Sequence, residues 1–239
     1  MRVLFVKQDH VSPAGPVADA FTDLGYDVAE LLVVPPERFA DPCVTVAFPD
    51  PAAFDAIVPM GAPWSVYDEA TIGSWVGGEI AFLRAALAAG VPVLGICFGG
   101  QALAAALGGR VLPASEPEIG WRLLTTDRPE LVEPGPWFQW HSDRWQLPPG
   151  VTAFARTPVA GQAFVAGRAL GLQFHPELTP ATLDGWLGNG GDAALARLGI
   201  NVDLLAEQTR LLAAAAERRA RVLVRRFVQQ VAVSPEAAR

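Results

Sequence analysis

The chain has 239 residues, 51% of them hydrophobic, with 18 basic against 25 acidic residues and a net charge of −7. That length and apolar share suit one α/β domain with a sizeable core, the acidic balance argues against nucleic-acid binding through a basic face as the main function, and 23 glycines with 21 prolines, about 18% of the chain, fall short of the roughly 25–30% typical of disorder. Two cysteines, Cys43 and Cys97, are too few for a disulfide framework and fit a reducing compartment, and neither has a Cys or His neighbour at zinc-ligand spacing.

Residues 2–7 read as a first strand, and the apolar run within it, 3–6, is too short for a signal peptide. Residues 17–24 read as a helix closing on Gly25. A second strand over 27–34 ends at Pro35-Pro36, and 35–53 is Pro-rich and irregular. A third strand covers 54–60, a helix 74–89, a fourth strand 91–96 and a helix 99–107. The uncharged stretch 85–109 is long enough to cross a bilayer. Its six glycines and Pro92 instead divide it into a buried strand, a tight turn and a buried helix. Strands alternating with helices predict a mostly parallel sheet covered on both faces.

The second half is richer in strands, at 110–113, 121–125, 152–156, 162–166 and 169–175. A short helix is expected at 182–187, and residues 203–231 form one helical stretch without Gly or Pro. No repeat or linker interrupts the chain before about residue 190. The expected organisation is a domain over 1–190 and a helical extension over 191–239, packed on the domain or used for docking. The protein is expected to be soluble and cytoplasmic.

The strongest chemical signal is Gly95-Ile96-Cys97-Phe98-Gly99-Gly100-Gln101. It follows an apolar strand and opens a helix, the setting of a nucleophile elbow with Cys in place of Ser. The turn directs the sulfur to the carboxyl end of the sheet, at a helix N-terminus whose dipole favours thiolate. Alone, the motif is also compatible with a buried structural cysteine. The second signal is Gln173-Phe174-His175-Pro176-Glu177. Pro176 biases His175 toward extended backbone, where residues i and i+2 point to one side. His175 would then be the general base for Cys97, and Glu177 would fix its tautomer and orientation. Alone, His175 is also compatible with a local hydrogen bond at a strand end.

Taken together, in this order, the two motifs resemble those of the class I (triad) glutamine amidotransferases, in particular the amidotransferase domain of GMP synthases and its stand-alone relatives. The resemblance covers roughly residues 1–190. It implies a three-layer α/β sandwich, flavodoxin-like, with a mixed, mainly parallel central sheet. It also implies hydrolysis of the γ-carboxamide of glutamine by Cys97, His175 and Glu177 through a γ-glutamyl thioester, without metal or organic cofactor. Met60-Gly61-Ala62-Pro63-Trp64-Ser65 is similar to the family's oxyanion loop. By that resemblance, backbone N–H groups at Gly61, Ala62 and Phe98 would hold the oxyanion. Ala62 stands where the family usually has Gly, and would be strained there if the position needs φ > 0. Trp140-His141-Ser142-Asp143 resembles the substrate-holding segment. Gln101, Ser142 and Asp143 would bind the amino-acid end of glutamine, with His141 as a neighbour. A salt bridge to Arg144 is the competing role for Asp143. Trp137, Trp140 and Trp145 are expected to pack a local loop. Glu118-Ile119-Gly120-Trp121 is expected to position the site, and Trp64 and Tyr67 to line the leaving-group side.

No S-G-G-x-D-S pyrophosphatase loop and no G-x-x-x-x-G-K-[ST] phosphate loop is present. The expectation is therefore a stand-alone glutaminase, alone or as a homo-oligomer, that serves a separate synthetase. The alternatives are a γ-glutamyl peptidase and an inactive binding relative, the latter supported only by Ala62. No nucleic-acid or membrane partner is expected. Residues 217–226 carry five Arg and one Glu, read as the solvated face of a packed helix or, alternatively, a docking face.

Overall fold

The computed structural model describes residues 1–233; residues 234–239 of the expected extension lie outside the described residues. Strand β1 (Arg2–Lys7) buries Val3, Leu4, Phe5 and Val6 in succession. Such an unbroken apolar run belongs in a strand covered on both faces. Helix α1 (Gly15–Asp23) leads to β2 (Asp27–Leu32), which pairs parallel with β1 and carries Asp27 and Glu30, as suits a sheet edge. Strand β3 (Ala56–Pro59) lies on the other side of β1. A one-turn helix absent from the sequence reading, α2 (Glu69–Ile72), is capped by the Asp68 side chain. Helix α3 (Val76–Ala88), strand β4 (Val93–Ile96) and helix α4 (Phe98–Ala106) follow.

Next come β5 (Arg110–Arg122), β6 (Thr125–Thr126), β7 (Trp137–Gln146), β8 (Ala153–Arg156), β9 (Gly161–Ala166) and β10 (Ala169–Leu172). Helices α5 (Pro180–Trp186), α6 (Asp192–Arg197) and α7 (Val202–Arg226) complete the chain. Eight strands form one sheet in the order β2-β1-β3-β4-β10-β9-β8-β6. From β2 to β10 the pairings are parallel; those of β9, β8 and β6 are antiparallel. The fold is thus the mixed, mainly parallel three-layer α/β architecture expected.

Alternate residues of a strand serve opposite faces. Phe5, Val58, Ile96 and Leu172 meet α1 and α7 through Phe21, Leu223, Val224 and Phe227. Leu4, Val6, Ile57 and Val93 meet α3 and α4 through Phe82, Leu83, Ala102 and Leu103. Each large apolar side chain buried at the end of α7 contributes about 1.5–3 kcal/mol. The exposed contacts of Arg221 with Asp19, Asp23 and Glu217 add at most about 1 kcal/mol apiece. Apolar packing, not charge, holds this helix down. Much of its basic cluster is engaged within the chain: Arg219 lies over the Trp137 ring and donates to the Pro136 carbonyl, and Arg226 meets Glu133.

The segment 137–146, expected to pack as a loop, is a strand. It pairs antiparallel with β5 in a separate two-stranded ribbon, Glu118 opposite His141, with a bulge between Pro113 and Glu118. Its inward side chains after Trp140 are His141, Asp143 and Trp145. With polar groups on the buried face, the apolar alternation that marks a strand is missing. The strand expected over 169–175 ends at Leu172, because the His175 N–H leaves the sheet for the Phe138 carbonyl of β7.

The sheet order places β2 and β3 on opposite sides of β1. Ligands of open α/β sheets bind beyond the carboxyl ends of strands at such a reversal. The segments that follow β1, β3, β4 and β10 converge there.

Candidate active site

Cys97 follows β4 and caps α4 with φ +49° and ψ −108°; it is the only non-glycine residue with positive φ among those described. Such a backbone costs on the order of 1–3 kcal/mol and persists only where its surroundings impose it. Here the Cys97 N–H donates to the Leu172 carbonyl at 2.8 Å and the Gly99 N–H to the Met60 carbonyl at 2.9 Å. The start of α4 is pressed onto two strand ends. A Cβ on Gly99 would sit 2.0 Å from the Pro59 carbonyl oxygen, and one on Gly100 2.4 Å from that of Leu172. Phe98, in the first turn of α4, has an N–H with no intrahelical acceptor. The helix dipole adds positive potential at this end.

The turn at Pro176-Glu177 brings His175 Nδ1 to 2.7 Å from Glu177 Oε1, with His175 5% exposed and Glu177 fully buried. His175 Nε2 has no hydrogen-bond partner within the fold; it is the ring nitrogen left for Cys97. Burial alone would lower the imidazole pKa, but the neighbouring charges of Cys97 and Glu177 overcome it and hold the group well above its ordinary 6.5. A raised folded-state pKa contributes stability that is full below about 6.5 and fades as pH rises through the folded value. The urea midpoint is therefore expected to fall as pH rises above neutrality. Glu177→Gln, which removes the carboxylate charge beside His175, should flatten that fall; an equal slope in both proteins would count against the assignment.

Cys97 and His175 open into one cavity of about 410 Å³, lined also by Gly61, Ala62, Phe98, Gln101, His141, Ser142 and Asp143. The residues expected as triad, oxyanion hole and substrate site all border it except Glu177, which is buried against His175. A Cβ on Gly61 would meet His175 Cε1 at 3.1 Å and Cys97 Cβ at 3.8 Å, so the loop after β3 crosses directly against both. Ala62 does not have positive φ, and the strain considered for it does not arise.

Asp143 makes no salt bridge with Arg144. Its carboxylate accepts from Ser65 Oγ at 2.5 Å and from Tyr67 Oη at 2.8 Å. Tyr67, expected on the leaving-group side, is thus bound to Asp143, while Trp64 lines the cavity. His141 Nδ1 lies 2.9 Å from the Asp143 carbonyl, and its Nε2 lies 3.3 Å from Glu118 Oε2, which also accepts from Thr157 and Gln162. Trp137 and Trp145 are buried, the former stacked on Phe174, whereas Trp140 faces the cavity.

Several contributors escaped sequence reading. Gln173 donates to Cys97 Sγ at 3.7 Å and accepts from Gln101 Nε2 at 3.2 Å. It lies two residues before His175, and the alternation that paired His175 with Glu177 also reaches it. Ser65 was within the loop motif without a role. Asp9, Ser12 and Trp186, which also line the cavity, carried no local signal. Among the described residues no group of three or more His, Cys, Asp or Glu side chains is placed to hold a metal ion, and no helix is long and apolar enough to cross a membrane.

A family model described as glutamine amidotransferase class-I matches residues 29–187. The GMP synthase [glutamine-hydrolyzing] of Thermomicrobium roseum is 40% identical over 136 residues, 53% of this chain and 24% of that protein. That of Thermus thermophilus is 43% identical over 97 residues, 37% of this chain and 19% of that protein. The matched stretch thus spans a quarter or less of these relatives. Among solved structures, a glutamine amidotransferase from Thermotoga maritima superposes with a TM-score of 0.81 at 26% identity, covering 96% of this chain and 99% of that one. A glutamine amido transferase from Methylobacillus flagellatus shares the fold, with a TM-score of 0.78 at 22% identity, covering 96% and 95% of the two chains.

Proposed function

The chain belongs to the class-I glutamine amidotransferase family, and from that premise we propose that it hydrolyses the γ-carboxamide of glutamine with Cys97, His175 and Glu177. The observation that carries this reading is the strained Cys97 sharing a cavity with a buried His175 whose Nδ1 is held by Glu177. Cys97 thiolate attacks the γ-carbonyl carbon. The oxyanion is met by the Phe98 N–H and by N–H groups of the Gly61-Ala62 loop, each such donor worth roughly 10²–10³ in kcat. His175 protonates the departing nitrogen at Nε2, and ammonia leaves. Water, deprotonated by His175, then attacks the γ-glutamyl thioester, releasing glutamate and regenerating the thiolate.

Gln101, Ser142 and Asp143 hold the amino-acid end in this reading, with His141 beside them. Asp143, tied down by Ser65 and Tyr67, is the anion for the α-ammonium. A hydrogen bond to a charged group contributes about 1.5–3 kcal/mol. Asp143→Asn should therefore raise the glutamine KM by roughly 10- to 100-fold with a smaller change in kcat. Equal losses in both would place Asp143 in the chemical step instead.

The ammonia is passed to a synthetase, a proposal supported by the GMP synthase [glutamine-hydrolyzing] relatives. Residues 1–190 form the catalytic unit, and the described residues beyond them, 191–233, its helical extension. The reducing cytoplasm is the fitting compartment, since Cys43 and Cys97 are both free thiols. The deciding experiment is glutamate release by the purified protein from glutamine, and separately from a γ-glutamyl peptide, with Cys97→Ala as control. Release from glutamine that the variant lacks supports the proposal. Release from the peptide alone would make the protein a γ-glutamyl peptidase, and release from neither would refute a self-sufficient glutaminase.

A further inference from the structure

Trp186 closes α5, at the far end of the family match. Its ring meets that of His175 edge-on, with centroids 4.9 Å apart and an interplanar angle of 69°, and meets Trp140 at 5.6 Å. Its Nε1 donates to Ser12 Oγ at 3.2 Å, and Ser12 Oγ donates to Asp9 Oδ2 at 3.1 Å. An indole N–H only donates, so Ser12 Oγ accepts from Trp186 and turns its own hydrogen to Asp9. Asp9 is anchored in turn, its Oδ1 accepting the Val11 N–H at 2.8 Å, and Asp9 and Ser12 are both buried. The same loop supports Glu177: Gly15 packs so tightly that a Cβ there would lie 2.6 Å from the Glu177 carbonyl oxygen.

An imidazole held only through Nδ1 can still rock about that bond. The indole lies against the ring and limits that movement. Trp186 cannot move off the ring without breaking its bond to Ser12.

We infer that Trp186, tethered through Ser12 to Asp9, is a positioning residue that keeps His175 Nε2 aimed at Cys97. The inference rests on the proposed Cys97–His175 chemistry. A displacement of about 1 Å at a reacting group costs on the order of 100-fold. Trp186→Ala is accordingly expected to lower kcat for glutamine roughly 10- to 100-fold with KM within about threefold. Trp186→Phe keeps a ring against His175 but loses the tether, and should recover only part of that loss, leaving kcat roughly three- to tenfold below wild type. Ser12→Ala removes the same tether from its other end. The Ser12→Ala/Trp186→Phe double variant should therefore be no worse than either single variant, because both cut one link.

The second readout is the rate of Cys97 alkylation by iodoacetamide at neutral pH, with His175→Ala as the reference. The wild type should react faster than His175→Ala, because a neighbouring base activates the thiol, and Trp186→Ala should lose most of that difference. Additive losses in the double variant, or a raised KM at unchanged kcat, would overturn the inference. If the Ala variant does not fold, the two tether variants decide the matter alone. Equal alkylation rates in the wild type and His175→Ala would instead overturn the underlying Cys97–His175 reading.

Discussion

Cys97→Ala is expected to lower glutamate release from glutamine by roughly 10⁴- to 10⁶-fold, the scale on which removal of a triad nucleophile acts, without loss of the fold. A second effect of opposite sign follows from the backbone. Alanine at position 97 keeps the penalty of φ +49°, whereas glycine relieves it. That relief, on the order of 1–3 kcal/mol, exceeds the roughly 0.5–1 kcal/mol entropic cost of glycine. Cys97→Gly should therefore be as inactive as Cys97→Ala yet more stable by about 1 kcal/mol, or roughly 2–4 °C in Tm. Thermal melts of the two variants beside the activity assay test this. A less stable Gly variant would mean that the elbow is not under strain.

Gly99→Ala should be among the most damaging single-methyl additions in the chain. The added carbon would lie 2.0 Å from the Pro59 carbonyl oxygen, an atom fixed at the end of β3. Neither side can yield without moving α4 off the sheet and breaking the bond from the Gly99 N–H to Met60. A destabilisation of about 3 kcal/mol or more is expected, near the upper end for overpacking, together with loss of turnover as Phe98 and Cys97 shift. Gly77, in α3 with nothing within 4 Å of its added Cβ, is the matched control. There alanine should stabilise by up to about 1 kcal/mol through helix propensity. Urea midpoints of the two variants give the comparison, and a mild effect at Gly99 would contradict the packing described.

β1, β3 and β4 could be read from the sequence because each holds an unbroken run of four buried residues without a charge. β1 spans the residues expected, and the ends of β3 and β4 were trimmed by only a few. Cys97, His175 and Glu177 were found because their chemistry depends on local backbone: a Gly-flanked turn, and a proline that fixes what precedes it. β7 was not found, since its buried face carries His141 and Asp143, whose burial depends on partners across the ribbon and in the loop after β3. For the same reason Ser65, Ser12 and Trp186 received no role, and Tyr67 was expected on the leaving-group side rather than on Asp143. Each acts through a bond to a residue distant in sequence, 174 positions away for Ser12 and Trp186, and no spacing rule spans that interval.

The sheet order also sets a timetable for synthesis. β10 lies between β4 and β9, yet it is made about 70 residues after β4. At roughly 5–20 residues per second, the ribosome leaves Val93–Ile96 as a bare, apolar sheet edge for on the order of 4–15 seconds. Throughout that interval the nascent chain carries Cys97 but lacks the strand that delivers His175. The insertion that seals the aggregation-prone edge is thus the event that arms the thiol, so an incomplete chain meets its first hazard before it gains its reactivity.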